Sequence, residues 1–321
     1  MAKAAVVGAA AAVAAVAVSE AVLRLFMGQA FDREEPRVMK AAEKYMIGAP
    51  ENDPRIDEIA AAAKRLRETA MERVEITAPD GLRLVGHWRP CPEPKRAIVA
   101  MHGWRGAWYK DFAGIADFWY DNGCSVLFAE QRAQGESEGD TMGFGVLERF
   151  DCLAWMQWVN ERCGTELPLY PAGISMGATT VLMTANLDLP DNVMGIMADC
   201  GFTSPEAIWR QVTEQTFRLP YDLWKQRINR ICAEKLHCAP GEVSTLDAMR
   251  ETKVPVLLVH GEADPFVPAS MSVENYEACT SPKKRLLLVP GAKHGWSYLI
   301  EPERYRAEVL AFWRDCEEGM A

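Results

Sequence analysis

From Arg96 to Val289 the chain repeats one pattern, a short uninterrupted apolar run followed by a longer stretch with helical spacing. The runs are Ala97–Met101, Ser125–Ala129, Leu167–Ala172, Val193–Ala198, Val254–Val259 and Leu286–Val289. Runs of this length without polar alternation read as strands buried on both faces, and helices between them imply βαβ crossovers. The pattern therefore demands an α/β fold with a mostly parallel sheet flanked by helices. One crossover is a helix over about Gly145–Arg162, with Leu147, Phe150, Ala154 and Trp158 expected on its core face. Ahead of the series, Val74-Ile76-Ala78 and Leu82-Leu84 alternate around Asp80-Gly81, which signals a hairpin.

One interval breaks the rhythm. Between Phe202 and Met249 there are only short helical pieces carrying Trp209, Phe217, Tyr221 and Trp224, with Pro220 and Pro240 as breakers. An insertion this long exceeds a simple crossover and reads as a small helical cap at about 203–249. Residues 29–71 read as a charged helical lead-in, with Asp53-Pro54 as a helix start, and 72–321 as the domain that bears the cap. The chain carries 45 acidic against 35 basic residues, a net charge of −10, which argues against a nucleic-acid partner. Its nine cysteines are odd in number and include no Cys-x-x-Cys pair. Free thiols in a reducing compartment account for them better than a disulfide framework or a zinc ribbon.

The amino terminus differs from the rest. Ala4–Val18 contains only Ala, Val and Gly, and Ala21–Met27 resumes the apolar run after Ser19 and Glu20, with Arg24 inside it. The first reading is a membrane anchor over residues 1–28 with the remaining chain on the cytoplasmic side. The rivals are a cleaved signal peptide, with Ala17-Val18-Ser19 as a small-x-small site, and an Ala-rich helix of a soluble cytoplasmic protein.

The residues that carry chemistry cluster at strand ends. Gly173-Ile174-Ser175-Met176-Gly177 follows an apolar run and precedes a helical one, the context of a nucleophile elbow. Its sharp turn would aim the Ser175 hydroxyl into a cleft and leave the Met176 N–H at a helix start, facing a developing oxyanion. Five histidines could serve as base, and His294, in the loop after the last strand, is the candidate. His87, His102, His237 and His260 read as sheet-surface, loop-packing or cap residues. Asp264, just past Val254–Val259, is the orienting acid, with Asp199 as rival and Glu262 less well placed. The second oxyanion donor falls in His102-Gly103-Trp104-Arg105-Gly106, at the Trp104 N–H, with Arg105 next. No G-x-G-x-x-G after a strand, no G-x-x-x-x-G-K-[ST] and no H-E-x-x-H occurs, so neither a cofactor nor a metal is implied.

Taken together, these motifs resemble the α/β-hydrolase superfamily, and within it the bacterial serine esterase-like enzymes also described as serine aminopeptidase-like or prolyl-oligopeptidase-like. The resemblance runs from Val74 to Trp313 and includes Gln131-Arg132-Ala133-Gln134-Gly135-Glu136-Ser137 and Asp199-Cys-Gly-Phe. Glu130 and Ala133 depart from it, standing where relatives often have Asp and Gly. The resemblance implies a hydrolase acting on a small-molecule ester through Ser175, Asp264 and His294. An aminopeptidase or amidase on the same residues, and a binding module that keeps the fold, are the alternatives. Some such relatives carry an amino-terminal membrane anchor.

Overall fold

The computed structural model describes residues 21, 23–34, 53–216 and 218–318. Eight strands form one sheet in the order β1-β2-β4-β3-β5-β6-β7-β8. The expected hairpin is β1 (Glu72–Thr77) and β2 (Arg83–Arg89), and β2 pairs antiparallel with β4 (Cys124–Ala129). From β4 onward the sheet is parallel through β3 (Arg96–Met101), β5 (Leu169–Ile174), β6 (Ile196–Asp199), β7 (Val256–Gly261) and β8 (Lys284–Val289). Every residue of β4 and β7 is buried, as a central strand covered on both faces requires. Alternate residues serve opposite cores. Ala97, Val99 and Met101 of β3 pack with Trp155 and Leu182 on one face, while Ile98 and Ala100 pack with Phe112 and Phe312 on the other.

The helix Glu148–Cys163 forms where expected but presents a different stripe. Its buried residues are Glu148, Asp151, Cys152, Trp155, Met156 and Val159, whereas Phe150 is 38% exposed. The reason is two buried acids. Glu148 accepts the N–H groups of Gly143 and Gly145 at 2.5 and 2.9 Å, and Asp151 takes a two-pronged ion pair from Arg132 at 2.7 Å on each oxygen. Paired in this way, acids can occupy a core face that apolar periodicity alone assigns to other residues.

The interval after β6 is helical. Helices Pro205–Gln211 and Lys225–Leu236 join a cluster containing Phe144, Trp209, Tyr221 and Ile228. Phe217 lies outside the described residues. The helix Thr245–Glu251, within the expected cap, instead packs Ala248 and Met249 into the sheet-side core.

Residues 23–31 are helical, and Leu23, Met27, Ala30 and Phe31 are buried in the cap cluster. The Phe31 ring lies 5.1 Å from Trp209 and 5.9 Å from Phe144, edge-on to both. A boundary after residue 28 therefore cuts through a packed helix, correcting the expectation that residues 1–28 stand apart from the rest. Most of the anchor segment Ala4–Met27, with its signal-peptide alternative, lies outside the described residues. Among the described residues no helix is long and apolar enough to cross a membrane.

If this helix belongs to the folded unit, Phe31→Ala should destabilise the protein by about 3 kcal/mol, the usual cost of emptying a buried aromatic site. Urea denaturation of the purified protein measures it, and a loss under ~0.5 kcal/mol, the range of surface changes, would remove the helix from the core.

Candidate active site

β5 ends at Ile174 and the helix Met176–Thr184 begins two residues later, leaving Ser175 alone at the turn. Its backbone sits at φ 55° and ψ −119°, a region that costs a non-glycine residue on the order of 1–3 kcal/mol. The turn closes only because its flanks lack side chains. A Cβ on Gly177 would lie 1.8 Å from the Met101 carbonyl oxygen, and one on Gly173 would lie 2.2 Å from the Gly177 backbone. Met176 opens the helix, so its N–H has no acceptor within that helix.

His294 follows β8 in a loop and is 9% exposed. Its Nε2 lies 2.9 Å from Ser175 Oγ and its Nδ1 2.7 Å from Asp264 Oδ2. With Nδ1–H donating to the carboxylate, Nε2 is left to accept the serine hydroxyl. Asp264 stands after β7, as its position past the strand end implied. Its Oδ1 accepts the N–H groups of Phe266 and Val267 at 2.9 Å each. Burial acts to raise its pKa, but hydrogen bonds from His260 and His294 outweigh it and hold the carboxyl well below the usual range.

His260, assigned from sequence to loop packing, is the residue that reading missed. Its Nε2 donates to the Val267 carbonyl at 2.9 Å and reaches Asp264 Oδ2 at 3.2 Å, while Ser272 Oγ lies 2.6 Å from its Nδ1. The spacing of His260 and Asp264 within one strand-end loop was the available signal. His102 takes the packing role expected of it: Nε2 accepts the Gln131 N–H at 3.2 Å, so Nδ1–H donates to the Gly103 carbonyl at 2.8 Å. His87 sits on β2 beside Glu130 at 2.9 Å and stacks on Trp108, and His237 is exposed at a helix end.

Asp199, the rival acid, does not reach His294. Its backbone carbonyl accepts the Ser175 N–H at 2.8 Å and its Oδ1 accepts from Ser297 Oγ at 3.1 Å. Glu262 is exposed. The loop holding Trp104 abuts the serine: a Cβ on Gly103 would be 3.3 Å from Ser175 Cβ, and the Gly103 N–H donates to Asp111 Oδ2 at 2.7 Å. Cys200 brings its thiol within 4.8 Å of the ligand atoms of Asp264 and His294. Burial foremost, then Asp199 and Asp264, pushes that thiol well up, which keeps it protonated and a poor metal ligand.

These groups open onto a hollow of about 330 Å³ lined by Ile59, Trp104, Asp111, Ser175, Phe266 and Tyr298 among others. A larger hollow of about 460 Å³, between Glu58 and Arg306, includes none of Ser175, Asp264 and His294. Asp111 and Asp199 both line the smaller one, where burial raises their pKa values against the pull of His102 and His260 respectively. Asp199 is the rival acid by sequence, whereas no local motif points to Asp111.

Comparison with known proteins agrees with this architecture. The profile of the prolyl oligopeptidase family matches residues 144–318, more than half of the chain and the part that contains Ser175, Asp264 and His294. The chain belongs to the prolyl oligopeptidase family. Within that setting it is 28% identical over 196 residues to the uncharacterized protein YqkD of Bacillus subtilis, a match spanning 60% of this chain and 63% of that one. It is 23% identical over 231 residues to the uncharacterized protein YfhR of Escherichia coli K12, covering 70% and 73% of the two chains. In structure it is similar to the Pyrococcus furiosus esterase Pf2001, with a TM-score of 0.64 at 22% identity over 78% of this chain and 93% of that one. An esterase from Thermogutta terrifontis gives 0.55 at 16% identity over 76% and 99%. These likenesses show an α/β-hydrolase fold.

The depressed pKa of Asp264 has a consequence for stability. A carboxyl held below its unfolded value stabilises the fold above that unfolded value, and the contribution vanishes as pH falls through the folded one. Asp264→Asn should therefore be less stable than the parent at neutral pH. The gap between the two urea midpoints should close on acidification through the carboxylate range, and a gap independent of pH would contradict the ionised, hydrogen-bonded Asp264 described here.

Proposed function

We propose that this chain is a serine hydrolase that cleaves carboxylic esters through an acyl-enzyme. The observation that carries the reading is the unbroken relay Ser175 Oγ to His294 Nε2, 2.9 Å, and His294 Nδ1 to Asp264 Oδ2, 2.7 Å, at the wall of a hollow of about 330 Å³. In the first half-reaction Ser175 Oγ attacks the ester carbonyl carbon while His294 Nε2 takes its proton. Asp264 keeps the imidazole in the tautomer that accepts at Nε2 and stabilises the imidazolium that forms. The N–H groups of Met176 and Trp104 receive the oxyanion. The tetrahedral intermediate then collapses, and His294 returns its proton to the departing alkoxide. Water repeats the sequence on the acyl-enzyme and releases the acid.

The peptidase alternative has one specific support, the pair Asp111 and Asp199 on the hollow's wall, which could face a substrate ammonium. Burial weighs against it, because it raises both carboxyls and so weakens each as a charged partner. Arg105 and Lys110 on the same wall would repel an ammonium, while Phe266, Ile115 and Leu299 add apolar surface to the cleft. An uncharged acyl or aromatic acid suits it better.

Two outcomes follow for the purified protein. Ser175→Ala and His294→Ala should each lower kcat on p-nitrophenyl butyrate by a factor on the order of 10³ or more while the melting temperature holds, and near-full activity of Ser175→Ala would end the proposal. On the parent protein, kcat/KM for p-nitrophenyl butyrate should exceed that for an aminoacyl-anilide. The reverse order would transfer the assignment to the peptidase.

A further inference from the structure

The loop that carries Trp104 is held from outside by an element that the reaction itself does not call for. Helix 23–31 ends beside it, and the carbonyls in and just beyond a helix's last turn have no partners within the helix. The side chains of Trp104 and Arg105 supply them. Trp104 Nε1 donates to the Ala30 carbonyl at 2.9 Å, and Arg105 Nη2 donates to the carbonyls of Gln29 and Asp32 at 2.9 and 2.6 Å. Its Nε adds a bond to Gln29 at 3.2 Å. The guanidinium thus lies at the negative end of the helix dipole. Arg105 also has φ 50°, a left-handed backbone that a residue with a side chain adopts at a cost.

The same helix end is fixed to the rest of the fold. The Phe31 carbonyl accepts the Met142 N–H at 2.8 Å, Arg33 donates to the Ser137 and Gly135 carbonyls at 2.5 and 2.6 Å, and Lys235 of the cap pairs with Asp32 at 2.7 Å. On its inner side the loop is held by Asp111 through the Gly103 N–H. We propose that the carbonyls at the end of helix 23–31, gripped by Arg105 and the Trp104 indole, set the position of the Trp104 N–H and hence the oxyanion site. Arg105 is then a positioning residue, and the amino-terminal helix is part of the machinery rather than an appendage. The inference rests on the esterase reading above, since it concerns the same oxyanion.

The test uses the full chain and three variants, Arg105→Ala, Arg105→Lys and Trp104→Phe, the last removing the indole donor while keeping a ring and the backbone N–H. Arg105→Ala should lower kcat on p-nitrophenyl butyrate about 10- to 100-fold with KM moving less than about threefold, as for a misplaced oxyanion donor. A trifluoromethyl ketone, whose hemiketal oxyanion fills the same hole, should lose affinity by the same factor. Arg105→Lys should recover part of the loss and Trp104→Phe should show a smaller one. A lowered melting temperature with kcat and inhibitor affinity unchanged would make the contact merely structural and overturn the proposal. The rate of fluorophosphonate labelling at Ser175 keeps the two readings apart. If the parent cleaves no ester yet labels, the esterase reading fails, and slowed labelling of Arg105→Ala still supports the positioning role while equal labelling overturns it.

Discussion

The close approach of the Met176–Thr184 helix to the end of β3 is the constraint from which the site's geometry follows. Only a hydrogen at the Gly177 α-carbon fits against the Met101 carbonyl. That contact forces the chain to leave β5 and enter the helix through a single residue, and the single residue, Ser175, must take the strained backbone at φ 55°. Sheet and helix, each buried on both sides, over-determine the turn and keep it strained. The hydroxyl is thereby presented at the strand ends of the parallel sheet, where β7 and β8 also deliver the loops of Asp264 and His294.

Burial then sorts the ionisable groups around that serine. Asp264 is enclosed yet remains a carboxylate, because two imidazoles and two backbone N–H groups converge on it. Asp111 and Asp199 are enclosed with fewer donors, and desolvation dominates for them. Cys200, whose thiol lies within 4.8 Å of the ligand atoms of Asp264 and His294, is kept protonated by the same burial. The hydrogen bond from Nδ1 to the ionised Asp264 is what gives His294 a single orientation.

Legibility in the sequence tracked how local each signal is. The strands were readable because burial on both faces leaves an uninterrupted apolar run, and Gly173-Ile-Ser-Met-Gly because the elbow's steric demand falls on residues two apart. Ser175, Asp264 and His294 were each nominated from such local context, and His294 lies within hydrogen-bonding distance of both the others. What stayed hidden depends on partners far along the chain. Glu148 and Asp151 face the core only because Gly143, Gly145 and Arg132 meet them there. His260 looks like any strand-end residue until Asp264 folds back onto it. Residues 23–27 read as the end of an interrupted apolar segment and 29–31 as the start of a charged lead-in, and nothing local announces that Arg105 and Trp104 will take up the carbonyls there.

The central claim is that Ser175 Oγ becomes acylated during turnover. Intact-protein and peptide mass spectrometry on samples acid-quenched while p-nitrophenyl butyrate is being consumed tests it directly. The account predicts one butyryl group per chain, confined to the peptide that carries Ser175 and absent once substrate is exhausted. Butyryl found on another residue such as Cys200, or ester consumed with no acylated protein under conditions where p-nitrophenol appears in a burst, would contradict it.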